Sequence, residues 1–160
     1  MKAVLLVPCA VALLGCARGA PAPNAGLGRV PADSLRGMVA VVGSEPGTWV
    51  VLQTESGARA TTLAGASGPL RGVTGFEVVV WGAAERPGVF RVDRFAVRAV
   101  DGQPALDGTV RRAGSGWTLQ PADGPAVPLP SLQDVREGAR IWLVRAPDGR
   151  VTGHGVISAP

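Results

Sequence analysis

The 160 residues include no tyrosine, one histidine, one lysine, one asparagine and two cysteines, and aromatics make up only 4%. Each shortage removes a class of chemistry. A zinc site needs three or four converging ligands, and His154 has no Cys or His partners; between Gly153 and Gly155 it reads as marking a bend. No G-x-x-x-x-G-K-[ST] or strand-linked G-x-G-x-x-G run is present to cradle phosphates. A Ser–His–Asp set is available by count, but no G-x-S-x-G elbow appears, and Gly114-Ser115-Gly116 falls in an expected hairpin turn. The 12 acids are scattered, with Glu45, Glu55, Asp101, Asp123 and Asp148 in turn-rich stretches and no Asp-rich loop of the EF-hand kind. A glycosidase-type carboxylate pair stays open, with nothing in the spacing pointing to one. The expectation is therefore no catalytic residues, no metal and no cofactor. Long apolar runs are also missing: no window of eighteen apolar residues offers a spanning helix. The 46% apolar content nevertheless excludes wholesale disorder.

The N-terminus carries the most specific pattern. Lys2 is followed by an apolar stretch, Ala3 to Leu14, broken only by Pro8, which has the length and charge of a secretory signal. It ends in Leu13-Leu14-Gly15-Cys16. That order resembles the lipobox of bacterial lipoproteins. The resemblance implies a signal peptide over residues 1–15, cleavage after Gly15 and a lipid on Cys16; the plain alternative is a secretory signal cut near Ala20. Ala17, where an aspartate retains lipoproteins at the inner membrane, points to the outer membrane facing the periplasm in a host that has one. Each buried lipid methylene contributes about 0.8 kcal/mol, and two or more chains anchor stably. Cys9 would leave with the signal, so no thiol would remain for a disulfide or a nucleophile. Residues 16–34, with Pro21, Pro23 and Pro31, read as a flexible tether able to span roughly 20–25 Å as a coil.

The remainder reads as a repeat. Leu35-Arg36-Gly37-Met38-Val39 is followed by Gly43-Ser44, Trp49, Leu52-Gln53 and Gly57; Leu106-Asp107-Gly108-Thr109-Val110 is followed by Gly114-Ser115, Trp117, Leu119-Gln120 and Gly124. Leu70-x-x-Val73 and Gly75 then precede Phe76 to Trp81, as Leu132-x-x-Val135 and Gly138 precede Ala139 to Val144. Within each copy, β-branched and aromatic runs between glycines and prolines predict strands at Met38–Val42, Trp49–Thr54, Ala58–Leu63, Phe76–Trp81 and Val89–Val100. In the last, Phe90 and Val92 share one parity while Phe95 and Val97 share the other, which predicts a bulge near Asp93-Arg94. Val151 and Val156 are likewise five apart. Ser131-Leu132-Gln133-Asp134 has the form of a capping box and predicts a short helical turn before the fourth strand. Three strands, a short helix and two strands resemble the OB-fold. The expectation is an all-β protein of two five-stranded OB-like or SH3-like barrels, at residues 35–105 and 106–160, with short helical turns; a single β-sandwich is the alternative. Trp49 and Trp117 are expected at equivalent core positions.

Lys2 is the only lysine, so the other fifteen of the 16 basic residues are arginines. Arg91, Arg94 and Arg98 fall on or beside the bulged strand, and Arg111-Arg112 in the next hairpin; together they are candidate ligand-binding residues, because the planar guanidinium suits carboxylate and phosphate. The composition is equally that of a GC-rich genome. Nucleic-acid-binding OB-folds need exposed stacking aromatics and a basic groove, and the few aromatics, with the expected envelope location, argue against nucleic acid. The function expected is a non-enzymatic, lipid-anchored interaction or assembly module for another envelope protein or a wall component. The alternative is a small-ligand or polyanion binder acting through the arginine stripe.

Overall fold

Runs of valine, leucine and isoleucine separated by glycine and proline turns are what a pleated, half-buried surface selects, and they become ten strands. In a computed structural model, residues 34–54, 60–65, 67–130, 132 and 135–160 are described. The expectations for the signal, Cys16 and the tether up to residue 33 lie outside them, as do Ser131, Gln133 and Asp134 of the expected helical turn. The strands are β1 (Ser34–Val42), β2 (Trp49–Gln53), β3 (Thr61–Gly65), β4 (Glu77–Arg86), β5 (Val89–Val100), β6 (Gln103–Ala113), β7 (Gly116–Pro121), β8 (Val127–Leu129), β9 (Arg140–Arg145) and β10 (Val151–Ser158). One five-residue helix, α1 (Ser67–Arg71), lies between β3 and β4. The described chain is thus all-β, and its ten strands join in one sheet system.

In the first half, β1 pairs with β2 and β4, β2 with β3, and β4 with β5, all antiparallel, while β3 pairs with β5 in parallel. Each of these five strands therefore has a strand partner on both edges. The second half repeats four of the five pairings with the same sense: β6 with β7 and β9, β7 with β8, and β9 with β10. The registers correspond residue for residue. Val39 lies opposite Leu52 and Gly37 opposite Val78; Val110 lies opposite Leu119 and Gly108 opposite Ile141. Val39 exchanges backbone hydrogen bonds with Gly75 and Phe76, and Val110 exchanges the same bonds with Gly138 and Ala139. The bulge falls at Asp93 and its counterpart at Thr152; a second irregularity falls at Arg98 and at Ile157.

The recurring glycine has a steric cause. A Cβ on Gly37 would lie 2.2 Å from the Gln53 carbonyl oxygen, and one on Gly108 would lie 2.5 Å from that of Gln120. The tight crossing of the first two strands in each half thus dictates the glycine.

The fifth pairing is missing. Among the described residues β8 and β10 do not pair, so the second half does not repeat the five-strand circuit of the first. The hairpin before β10 is too short. In the first half, Val89 to Val92 deliver the parallel ladder to Thr62–Gly65. Gly82 opposite Val92 corresponds to Arg145 opposite Val151, and the connecting chain shrinks from residues 83–91 to residues 146–150. β10 begins where the ladder to the third strand would end.

The halves join through a two-residue turn, Asp101-Gly102, both with positive φ, the geometry that suits a tight hairpin. Val100 pairs with Gln103 and Ala99 with Pro104, so β6 runs across the expected 105/106 boundary. One core gathers Val39, Leu52, Leu70, Val78, Val80 and Val97, and it also takes Ala105 and Val144 from the second half, with Trp142 and Ile157 packed against it. Trp142 meets Phe76 edge-on, ring centres 5.1 Å apart. A smaller core holds Val110, Leu119, Leu129, Ile141 and Leu143. Burying each of these large side chains contributes about 1.5–3 kcal/mol.

Candidate functional site

The five candidate arginines do not form one free stripe. Alternation along β5 puts Arg94 and Arg98 on the face away from Phe95 and Val97. There Arg94 lies 3.8 Å over the Trp81 ring and Arg98 is 5.7 Å from it. Both reach Asp123 of the β7–β8 connection, at 3.7 and 3.0 Å. One carboxylate and one indole face therefore already occupy these two cations. Arg91 has Asp93 at 3.8 Å. Arg112 stacks 5.2 Å from the Trp117 ring, its backbone N–H directed at Glu137. Arg111 is exposed. Spacing along one strand showed the arginines but not the aspartate from a distant turn that sits between two of them.

A buried pair fastens the halves. Asp107 of β6, its side chain 4% exposed, accepts the Val97 N–H at 2.9 Å and the Arg140 Nε–H at 2.8 Å. Arg140 of β9 also donates to the Phe95 carbonyl and lies 4.2 Å over the Phe95 ring. This stretch of β5 has no strand on that edge, so the two side chains satisfy backbone groups that would otherwise be orphaned. Arg36 and Glu77 form an ion pair at the corresponding positions of the first half with the charges exchanged. The pair is structural.

The surface that stands out is the outer face of β1 and β2. Trp49 lies opposite Val42 and Met38 opposite Gln53. Trp49 is 59% exposed, Met38 49% and Val42 40%. The turn leading into Trp49 is held from below: Arg71, the last residue of α1, donates to the Thr48 carbonyl at 3.2 Å and to its hydroxyl at 2.8 Å. Beside Met38 a depression of about 300 Å³ is bordered by Gly75, Glu77, Ala99 and Asp101. The expected equivalence of Trp49 with Trp117 does not hold. Trp49 faces Val42, whereas Trp117 faces Arg112, one register step inward, and packs on the smaller core. The loops before the two tryptophans differ in length, and a one-residue slip turns a side chain to the opposite face.

His154 lies opposite Leu143 on β10, exposed. No group of three or more His, Cys, Asp or Glu able to hold a metal exists among the described residues, and no helix among them is long and apolar enough to cross a membrane. Set against known proteins, the chain matches no family model, no curated protein and no solved structure.

Proposed function

We propose that this chain is a lipid-anchored protein of the cell envelope, without catalytic activity, that docks another envelope protein or a wall component. The exposed Met38–Val42–Trp49 face carries the reading. Large apolar side chains exposed on one strand pair, around the buried Val51, are what an interaction surface presents, and tryptophan is among the residues that dominate such interfaces. Anchorage rests on the resemblance of Leu13-Leu14-Gly15-Cys16 to a lipobox, with the outer membrane, facing the periplasm, as the location in a host that has one. The OB-like reading of the first half is supported by the parallel β3–β5 pair and by α1 between the third and fourth strands; an OB-fold is a partly open, five-stranded Greek-key barrel. Duplication is supported by the shared registers, bulges and glycines. The arginine stripe as a polyanion site is weakened by Asp123 between Arg94 and Arg98.

The test is a crosslinking pull-down of the tagged full chain from native envelopes at low and high salt. We expect one protein or wall component, retained at both salts and lost with Trp49→Ala, while that variant changes stability by no more than about 0.5 kcal/mol. Anionic material released by salt and indifferent to Trp49→Ala would replace this reading with the polyanion one.

A further inference from the structure

The second half has an edge that the first half does not. Along β5, the edge away from β4 is used throughout: by β3 at Val89–Val92, by Asp107 and Arg140 at Phe95 and Val97, and by β6 at Ala99 and Val100. β10 corresponds to β5, yet among the described residues it pairs with β9 alone. An open edge presents a row of unpaired N–H and C=O groups, and proteins ordinarily blunt it with charge, proline or a short strand. β8, the other open edge, is blunted: it is three residues long, Pro128 has no N–H, and Pro130 follows. β10 is eight residues long, Val-Thr-Gly-His-Gly-Val-Ile-Ser, without a formal charge or a proline.

The side chains point the same way. Val156 and His154 lie opposite Ile141 and Leu143, both fully buried, and residues directly opposite share a face. Val156 is nevertheless 51% exposed, whereas its counterpart Val97 is fully buried. The apolar face of the second half therefore ends in an uncovered margin. Beside it runs a groove of about 470 Å³ between β8 and the start of β10, lined by Pro128, Leu132, Arg145, Arg150 and Val151. Arg145 spans the groove, donating to the Pro128 carbonyl at 2.5 Å, and its Nε–H is buried without a partner among the described residues. Arg150 has only the loosely placed Asp148, at 3.7 Å. Among the described residues, two guanidinium groups against one carboxylate leave this end of the groove positive.

We propose that the open edge of β10 takes up an extended strand from a partner protein, with apolar residues on alternate positions and a carboxylate at the Arg145–Arg150 end. Main-chain hydrogen bonds would complete the missing ladder, as in strand addition to other sheet edges. The guest's apolar side chains would cover Val156 and the margin of the smaller core, and its carboxylate would meet the arginines. The proposal rests on reading the chain as an interaction module, but on a surface separate from the Trp49 face.

The probe is a labelled nine-residue peptide alternating threonine and valine with a glutamate at each end, and a twin with a lysine at each end. Binding to the full chain is followed by fluorescence anisotropy, and amide exchange along β10 by mass spectrometry. We expect the glutamate peptide to bind at least tenfold more tightly than its twin and to slow β10 exchange at least tenfold. Arg150→Glu, an exposed site, should invert the preference, and Val156→Lys should abolish binding of both. Trp49→Ala should leave the peptide affinities unchanged, so failure of the pull-down and failure of this proposal are separately visible. Equal affinity for the two peptides, or binding that leaves β10 exchange unaltered, would overturn it. So would β10 amides already protected without peptide, whether by a second copy, which dilution would reverse, or by another segment of the same chain, which it would not.

Discussion

Replacing Asp107 with alanine tests how the halves are held together. The Asp107 side chain is 4% exposed and that of Arg140 27%, whereas the charge-exchanged pair of the first half, Arg36 and Glu77, is 35% and 25% exposed. Asp107→Ala removes three hydrogen bonds at once. The Val97 N–H is left without its acceptor, a loss of about 1–3 kcal/mol for a buried donor. Arg140 is left as a mostly enclosed cation, and breaking such a pair from one side costs about 3–5 kcal/mol in all. Glu77→Ala breaks the corresponding pair, in which neither partner is as enclosed as Asp107, and a smaller cost of about 0.2–1 kcal/mol is expected. Asp107→Asn should fall between the two, since one carboxamide oxygen can still accept the Val97 N–H. The assay is urea unfolding followed by tryptophan fluorescence, with equal m-values as the check that one transition is compared. Costs for Asp107→Ala and Glu77→Ala within about 1 kcal/mol of each other would refute the argument from burial. If the alanine variant shows no cooperative transition, the asparagine variant carries the comparison.

Two further outcomes are expected. Gly37→Ala and Gly108→Ala should each destabilise by about 1–3 kcal/mol or more, since the added methyl meets a backbone carbonyl that cannot swing aside; thermal melts of both, against Gly68→Ala, where a Cβ meets nothing within 4 Å and φ is not positive, check this, and a cost at Gly37 no greater than at Gly68 counts against it. Cys16→Ser should abolish incorporation of labelled fatty acid and release the protein from the membrane fraction; a labelled, membrane-bound serine variant ends the lipid-anchor reading.

Sequence periodicity located some features closely and missed others for definite reasons. β5 coincides with its expected limits, and its bulge was visible because two apolar pairs of opposite parity cannot share a face without an extra residue. Gly37 and Gly108 stood out at matching places in the sequence because they answer to one steric demand. β4 continues to Arg86, beyond the expected Trp81, since Gly-Ala-Ala-Glu-Arg has little strand character and is held by its pairing with β5. β3 begins at Thr61, later than the expected Ala58, residues 55–59 lying outside the described ones. The exposure of Trp49 was hidden because register inside a hairpin depends on loop length, which motif order does not record. The open second half was hidden for a related reason. Closure depends on four residues of hairpin length, and only Pro128 and Pro130 hinted that β8 does not accept another strand.

The position of β1 has a mechanical consequence. Tension applied to the chain's N-terminal side enters the described fold at Ser34, the first residue of a strand held in succession by two neighbours: β4 pairs along Ser34–Met38 and β2 along Met38–Val42. A pull along the axis of β1 loads both ladders in shear, so many hydrogen bonds share the force and none is peeled singly. Yielding then depends on the rate of crossing the unfolding barrier and not on equilibrium stability. Among the described residues β10 is held by one neighbour, β9, so a pull across that strand breaks its ladder one bond at a time. Resistance along β1 thus rests on two ladders and across β10 on one.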